Sequence, residues 1–215
     1  PWRHKRALAG GGATLDIGVH LFHRIRYLCG PITRVSGVVR TFEPVRYRKD
    51  EQGNVLETIH PDADDAFMTT FELAGGGIGE MSFTWAGHGP SVGLPDGMVV
   101  YGSKGCLRGG TLYLDGHEPV EALTLFRDRA TPDEQARWIP LGLEDTFAAG
   151  FYDFLRAIER HGQPEASGEE GLLDVATTFA IIESSSAGHP VLVEDVLSGK
   201  VREAQRVIDE HYGLA

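Results

Sequence analysis

The spacing of apolar residues divides this chain into a helical start, a strand-rich middle and a helical end. In the first stretch apolar residues recur three and four positions apart, as on one face of a helix: Leu15, Val19, Phe22 and Ile25. Three glycines at positions 10–12 precede this stretch. Gly30 and Pro31 close it, because glycine favours a helix end and proline cannot continue a helix. The pattern predicts one helix between the glycines and Gly30.

The middle of the chain is rich in β-branched and aromatic residues, which favour strands. The predicted strands are residues 32–42, 66–73, 78–85, 98–107 (strand, turn, strand) and 111–114. The glycines at 75–77 predict a tight turn that pairs two of these strands as an antiparallel hairpin. Residues 47–54 are polar and are interpreted as a loop, with a hairpin-like turn at 50–54.

From Thr146 the period changes to about 3.6 residues, which predicts an amphipathic helix ending near residue 161. Its apolar stripe comprises Phe147, Phe151, Phe154, Leu155 and Ile158. A second helix is predicted over residues 168–186, followed by a short strand or turn and a polar, partly helical tail. Because strands and helices occur in separate runs, the fold class is predicted to be α+β.

Two segments resemble ligand loops without having their full pattern. Asp62, Asp64 and Asp65 lack the glycine and the later glutamate of an EF-hand, so we interpret them as the charged start of a strand. Residues 102–105 have the wrong glycine spacing for a phosphate loop and are followed by a predicted strand, so a hairpin turn is favoured.

The composition of the chain limits the classes of protein to which it can belong. A chain of 215 residues with 41% hydrophobic and 24% charged residues is typical of a globular domain, and we expect one domain over 1–215 with an arm or linker at 1–9. The net charge of −11 argues against nucleic acid and anionic lipid as partners. No apolar run approaches the roughly 20 residues of a membrane span.

The expected location is the reducing cytoplasm, because the chain has only two, widely separated cysteines and no signal-peptide pattern. The chain begins at Pro1, so we expect it to be part of a longer protein. No strand followed by a GxGxxG fingerprint occurs in it, and therefore no dinucleotide-binding half is recognisable.

Asp16 and His20 are the candidate chemical pair. They are four residues apart and therefore share one face of the predicted helix. A carboxylate beside an imidazole is the basic unit of general acid–base chemistry. Two other interpretations remain open: a structural contact between the two side chains, or a zinc site that also uses His23.

Several motifs, taken in order, resemble the C-terminal domain of the glucose–fructose oxidoreductase / inositol dehydrogenase (Gfo/Idh/MocA) family. The resemblance covers almost the whole chain. Its motifs are GGATLDIGVH at residues 11–20, GIGEMSFTW at 77–85, GSKGCL at 102–107, FYDFLRAI at 151–158 and ESSSAGHPV at 183–191.

The resemblance implies an open, predominantly antiparallel sheet with helices packed on one face, like the C-terminal domain of glyceraldehyde-3-phosphate dehydrogenase. It implies the substrate-binding and catalytic half of an oxidoreductase that uses NAD or NADP on the CH–OH group of a sugar, inositol or related polyol. His20 would be the acid–base residue, and Asp16 would bind substrate or orient His20. Arg3 could pair with a cofactor phosphate or a substrate carboxylate, and Trp2 could border the same cleft.

The resemblance also implies partners. An N-terminal Rossmann domain, absent from this sequence, would hold the cofactor and the family's catalytic lysine, so this chain alone is expected to be inactive. A homodimer or homotetramer through the sheet face is expected. The alternative function is a non-catalytic ligand-binding or dimerisation domain. One departure affects the anchoring of the helix or the substrate preference: His23 stands where the family has aspartate.

Overall fold

A computed structural model describes residues 2–89 and 97–214 of the chain. Pro1 of the expected arm and Ala215 of the expected tail lie outside these residues. The helices are α1 (Arg6–Ala9), α2 (Ala13–Cys29), α3 (Ala122–Arg129), α4 (Pro132–Trp138), α5 (Thr146–Glu159), α6 (Gly168–Ala187), α7 (Val193–Leu197) and α8 (Arg206–Tyr212). The strands are β1 (Ile32–Arg40), β2 (Arg46–Lys49), β3 (Val55–Ile59), β4 (Ala66–Leu73), β5 (Ile78–Thr84), β6 (Val99–Gly102), β7 (Gly105–Arg108), β8 (Thr111–Leu114), β9 (Val120–Glu121) and β10 (Val191–Leu192).

The chain forms two compact units. The first comprises residues 1–91 and 168–215, and the second comprises residues 92–167. The first unit contains the predicted helix α2 and the strand pair β4–β5, whereas the second contains strands β6–β9 and helices α3–α5. The elements confirm the predicted α+β class with open antiparallel sheets.

The main sheet of the first unit has the order β10-β1-β4-β5, and all of its neighbours are antiparallel. Val35 of β1 pairs with Phe71 of β4, and Phe71 in turn pairs with Gly79 of β5. The register therefore places apolar side chains in rows on one face, as the alternating burial of β4 shows. The β4–β5 hairpin was predicted correctly.

The buried face of this sheet packs against helices. Val35 and Ile181 have no exposed surface, Phe67 is 2% exposed, and all three belong to one core cluster with Phe22 of α2. Helix α6 supplies the longest run of buried residues in the described chain, which explains why its sequence shows only a weak amphipathic period. The opposite face of the sheet stays open: Met68 and Ile78 are 70% and 85% exposed.

The interpretation of residues 47–54 as a loop was wrong for its first part. Strand β2 occupies Arg46–Lys49 and pairs with β3. Its sequence has no apolar pattern, because the charged side chains of this two-stranded ribbon remain in water on both faces. The turn at its tip was predicted correctly: the Asp50 carboxylate accepts hydrogen bonds from the amides of Gln52 and Asn54. Hydrogen bonds from the Asn54 side chain and amide lower the pKa of Asp50.

In the second unit, β6, β7, β8 and β9 form an antiparallel meander. The turn predicted at residues 102–105 joins β6 to β7. Helices α3 and α4 were not predicted. The stripe predicted on α5 is present, but its members are exposed in this structure; Phe147 and Phe151 are 80% and 69% exposed. Across the described residues, no helix combines the length and the apolar character needed to span a membrane.

Candidate functional site

Helix α2 begins without a cap of its own, because Gly12 stands at the N-cap position and has no side chain. Asp64, which precedes β4, supplies the missing acceptors. Its carboxylate accepts from the amides of Gly12 at 2.9 Å and Thr14 at 2.7 Å, and from the Thr14 hydroxyl at 2.6 Å. Its carbonyl accepts from the Ala13 amide at 2.9 Å. The start of α2 is therefore fixed to β4 by one residue.

This approach requires glycine at position 12. A Cβ there would lie 1.7 Å from the carbonyl oxygen of Asp64, a distance that no side chain tolerates. The negative charge of Asp64 is also favourable at the positive end of the helix dipole. Gly12 is thus explained by how closely the helix start meets the chain before β4.

The other two aspartates of the acidic cluster act in the same way. Asp62 accepts from the amide of Arg6 at 2.7 Å, which fixes the start of α1. Asp65 is 3% exposed and accepts from the amides of Phe42 and Glu43 at 2.8 and 2.9 Å. The cluster therefore binds backbone N–H groups. Within residues 2–89 and 97–214, no group of three or more His, Cys, Asp or Glu side chains is placed to hold a metal.

Asp16 and His20 both lie on the exposed side of α2. The amide of Asp16 donates to the Gly12 carbonyl at 3.0 Å, so its position follows directly from the fixed helix start. Neither side chain forms a hydrogen bond or ion pair with any other described residue. The two groups are therefore available to a ligand, and His20 is not held by Asp16 in this structure.

The opposite side of α2 packs closely on α6. A Cβ at Gly18 would lie 2.9 Å from Cγ2 of Thr178, so glycine permits the approach of the two helices. Thr178 is fully buried and its hydroxyl donates to the Asp174 carbonyl at 2.7 Å. Because the helix is held by this contact as well as at its N-terminus, the direction of its exposed face is set.

His23 anchors α2 to α6. Its Nδ1 lies 2.8 Å from Oδ2 of Asp174, whose side chain is 7% exposed. Arg26 pairs with Asp174 as well and with Glu170 at 2.7 Å. The carboxylate partner that the family pattern places at position 23 is thus found on α6 instead. This geometry directs Nδ1 of His23 toward α6, away from a zinc site with Asp16 and His20.

Trp2 and Arg3 lie in a short 3-10 turn, Trp2–His4, at the start of the described chain. Trp2 is 57% exposed, and the Arg3 guanidinium lies 5.5 Å from the centre of its ring. The turn is fixed by the His4 carbonyl, which accepts from the Asp62 amide at 3.0 Å. No hydrogen bond or ion pair joins Trp2 or Arg3 to Asp16 or His20 in the described ranges.

His4 is the titratable group of this turn with a shifted pKa. Partial burial lowers the pKa of His4, and the positive charge of Arg46 lowers it further. Both effects favour the neutral ring.

Sequence reasoning missed Asp64, Thr14 and Asp174, which hold the helix that carries the candidate pair. One signal was available. A helix that starts after three glycines lacks a side-chain cap, so an acceptor from elsewhere is required, and the acidic cluster Asp62, Asp64 and Asp65 contains such acceptors. No comparable signal marks Asp174, which is one acid among several on α6.

Comparisons with known proteins identify a family of related domains. The family model for the GFO/IDH/MocA C-terminal domain matches residues 1–108. The chain is 27% identical over 206 residues to levoglucosan dehydrogenase of Pseudarthrobacter phenanthrenivorans, covering 86% of this chain and 52% of the relative. It is 28% identical over 206 residues to 1,5-anhydro-D-fructose reductase of Ensifer adhaerens, covering 90% and 51%. The chain thus spans about half the length of these relatives.

Solved structures show the same fold. The apo form of levoglucosan dehydrogenase matches with a TM-score of 0.66 and 25% identity, over 89% of this chain and 54% of that chain. Its complex with NADH and L-sorbose matches with a TM-score of 0.68 and 24% identity, over 91% and 54%. An oxidoreductase domain protein from Kribbella flavida matches with a TM-score of 0.67 and 23% identity, over 90% and 54%.

Proposed function

Because this chain belongs to the GFO/IDH/MocA C-terminal domain family, we propose that it is the substrate-binding and catalytic half of an NAD(P)-dependent oxidoreductase. The substrate is a sugar, inositol or related polyol, and the reacting group is CH–OH. One observation carries the proposal: α2 is fixed at both ends, yet Asp16 and His20 on its exposed side have no partner among the described residues. The named relatives, a levoglucosan dehydrogenase and an anhydrofructose reductase, support the substrate class.

In the proposed reaction, His20 takes the proton of the substrate hydroxyl as the carbon loses hydride. A neutral imidazole is suited to this transfer near pH 7. The nicotinamide ring supplies the hydride acceptor when the cofactor is bound. Asp16 accepts a hydrogen bond from a second hydroxyl of the substrate or turns the His20 ring toward the reacting oxygen.

The chain contributes little of its own to cofactor binding. It has no strand followed by GxGxxG, and Arg3 is the candidate for a phosphate contact, because a guanidinium pairs well with phosphate oxygens. Trp2, beside it, is the candidate for an apolar contact with the substrate. We assign the rest of the cofactor site to an N-terminal Rossmann domain.

The test is a screen of the whole protein with NAD and NADP on levoglucosan, L-sorbose and myo-inositol, and with NADH and NADPH on 1,5-anhydro-D-fructose. We expect turnover of at least one compound, and a loss of at least 100-fold in kcat on His20→Ala, the range that a general acid–base group contributes. The matched control is His211→Ala, an exposed histidine on α8, which should retain full activity. A His20→Ala variant with unchanged kcat would refute the proton-transfer role.

A second candidate function is a non-catalytic dimerisation domain, favoured by the open sheet face with exposed Met68 and Ile78. The proposal for the enzyme includes the same face, as the contact of a homodimer or homotetramer. We propose a cytoplasmic location, which the two free thiols of Cys29 and Cys106 support. A protein that forms this oligomer but turns over none of the compounds with either cofactor would favour the non-catalytic function.

A further inference from the structure

The Asp174–His23 pair has the form of a carboxylate that orients an imidazole. A carboxylate can only accept hydrogen bonds, so the short contact between Asp174 and Nδ1 of His23 requires the hydrogen to be on Nδ1. In the neutral ring Nε2 is then a hydrogen-bond acceptor. Arg26, which pairs with the other oxygen of Asp174, holds the carboxylate in place and offsets its charge.

Nε2 of His23 has no hydrogen-bond partner among residues 2–89 and 97–214, and the His23 side chain is 38% exposed. Positions 16, 20 and 23 of a helix lie within about 60° of one another around its axis, so the three side chains leave α2 on adjacent lines. The side chain that carries the acceptor nitrogen thus leaves α2 next to Asp16 and His20.

We propose that His23 is a specificity-determining residue, whose Nε2 accepts a hydrogen bond from a substrate hydroxyl, and that Asp174 is the positioning residue that fixes its tautomer. The ligand class is a polyol with a hydroxyl beyond the one that reacts at His20. This inference rests on the proposed function for the substrate class only. The direct observations are the Asp174–His23 contact and the second ring nitrogen, which has no partner in the part of the chain that the structure describes.

Two substitutions of His23 test the roles of the two ring nitrogens separately. His23→Asn places an amide N–H where Nδ1 lies, so it keeps the contact with Asp174 and removes the acceptor. His23→Gln reaches the position of Nε2 with an amide oxygen and gives up the contact with Asp174. Glu57→Gln on β3, which loses an exposed pair with Arg48 at 3.0 Å, is the control.

The measurement is the Kd of levoglucosan, L-sorbose, 1,5-anhydro-D-fructose and myo-inositol for the whole protein with NAD(P)(H) bound, by calorimetry. We expect His23→Asn to raise Kd about tenfold, as for one hydrogen bond, with an unchanged melting temperature, and His23→Gln to retain more of the affinity. Monodeoxy analogues of the best ligand should include one that binds wild type and His23→Asn equally.

Imidazole nitrogen chemical shifts of the labelled protein test the positioning role. We expect the Nδ1–H tautomer of His23 in wild type, its loss in Asp174→Ala, and a change in the Nε2 chemical shift when a sugar binds to wild type, which a purely structural anchor would not show. A His23→Asn variant with a Kd within twofold of wild type would overturn the inference, even in an active enzyme. A wild-type protein that binds a sugar without turning it over would contradict only the proposed function; one that binds none of the four contradicts both.

Discussion

At the residue scale, the three aspartates before β4 act as acceptors for backbone amides. Asp64 accepts four hydrogen bonds at the start of α2 when its carbonyl is included, and Asp65 joins the chain after β1 to β4. A buried or half-buried carboxylate of this kind stabilises the fold only while its hydrogen-bond donors remain in place. The Asp16 side chain, by contrast, has no hydrogen-bond or ion-pair partner among the described residues.

We predict that Asp64→Ala lowers the protection of the amides at the start of α2 from hydrogen exchange. The amides of Gly12 and Thr14 lose their acceptor, and loss of a helix cap typically costs about 1 kcal/mol. Hydrogen exchange measured by mass spectrometry should therefore accelerate about fivefold or more for the peptide that covers residues 11–16. Glu57→Ala, an exposed acid on β3, serves as the control, and unchanged exchange in Asp64→Ala would contradict the capping role.

His4 gives a prediction for pH. Its folded-state pKa lies below the ordinary value of 6.5, chiefly because of burial, so the unfolded chain binds more protons than the folded one as the pH falls through and below that value. The stability contribution of neutral His4 is thus present above pH 6.5 and is lost on acidification. We expect His4→Gln to flatten the decline of the melting temperature between about pH 7 and 5. A decline equally steep in both proteins would contradict this.

At the scale of elements, the contact between α2 and α6 determines which side of α2 meets a ligand. Two features hold it: the close approach of Gly18 to Thr178, and the ion pairs from His23 and Arg26 to Asp174. A glycine inside a helix normally costs about 1 kcal/mol relative to alanine, so its presence at position 18 is explained by packing and not by helix propensity.

If packing explains Gly18, the effect of Gly18→Ala on the free energy of unfolding should change sign when Thr178 is made smaller. Gly18→Ala gains helix propensity but places a Cβ 2.9 Å from Cγ2 of Thr178, so in wild type it should be neutral or destabilising by about 1 kcal/mol. In a Thr178→Ser background, which removes that methyl and keeps the hydroxyl bond to Asp174, the same change should stabilise by up to about 1 kcal/mol. Thermal unfolding of the four proteins measures the coupling. Equal effects in both backgrounds would contradict the packing argument.

The elements also show what the sequence reveals and what it does not. Helix α2 and the β4–β5 pair could be predicted because each has a clear period and a glycine boundary. Strand β2 was missed because both of its faces are polar. Helix α4 was missed although its start carries a full signal: Thr131 and Glu134 form a capping box, with Pro132 at the first helical position. The partners Asp64 and Asp174 depend on tertiary contacts between residues far apart in sequence, which no local pattern encodes.

At the scale of the whole molecule, the open face of the main sheet carries large apolar side chains that are exposed. Met68 and Ile78 lie on the adjacent strands β4 and β5 and are 70% and 85% exposed. Arg34 of β1 and Glu72 of β4 form an ion pair at 3.3 Å. Large exposed apolar side chains on one face favour association.

If this face forms the proposed oligomer, Ile78→Asp should weaken it. A charge buried in a subunit contact without a partner costs several kcal/mol, whereas at an exposed position of the free chain it costs little. We expect analytical ultracentrifugation of the whole protein to show a shift toward monomer, and a circular dichroism spectrum that does not change. Leu123→Asp, an exposed leucine on α3, is the control; an unchanged oligomer in Ile78→Asp would exclude this face.

The discontinuity of the first unit has a consequence for protein synthesis. Its sheet strands β1, β4 and β5 are made before residues 92–167, but α6, which covers them, is made afterwards. At roughly 5–20 residues per second, the ribosome needs roughly 4–15 seconds for the intervening segment. During this interval Val35, Phe67 and Phe71 have no helix α6 to bury them. The nascent chain therefore exposes for this time an apolar surface that the finished protein buries.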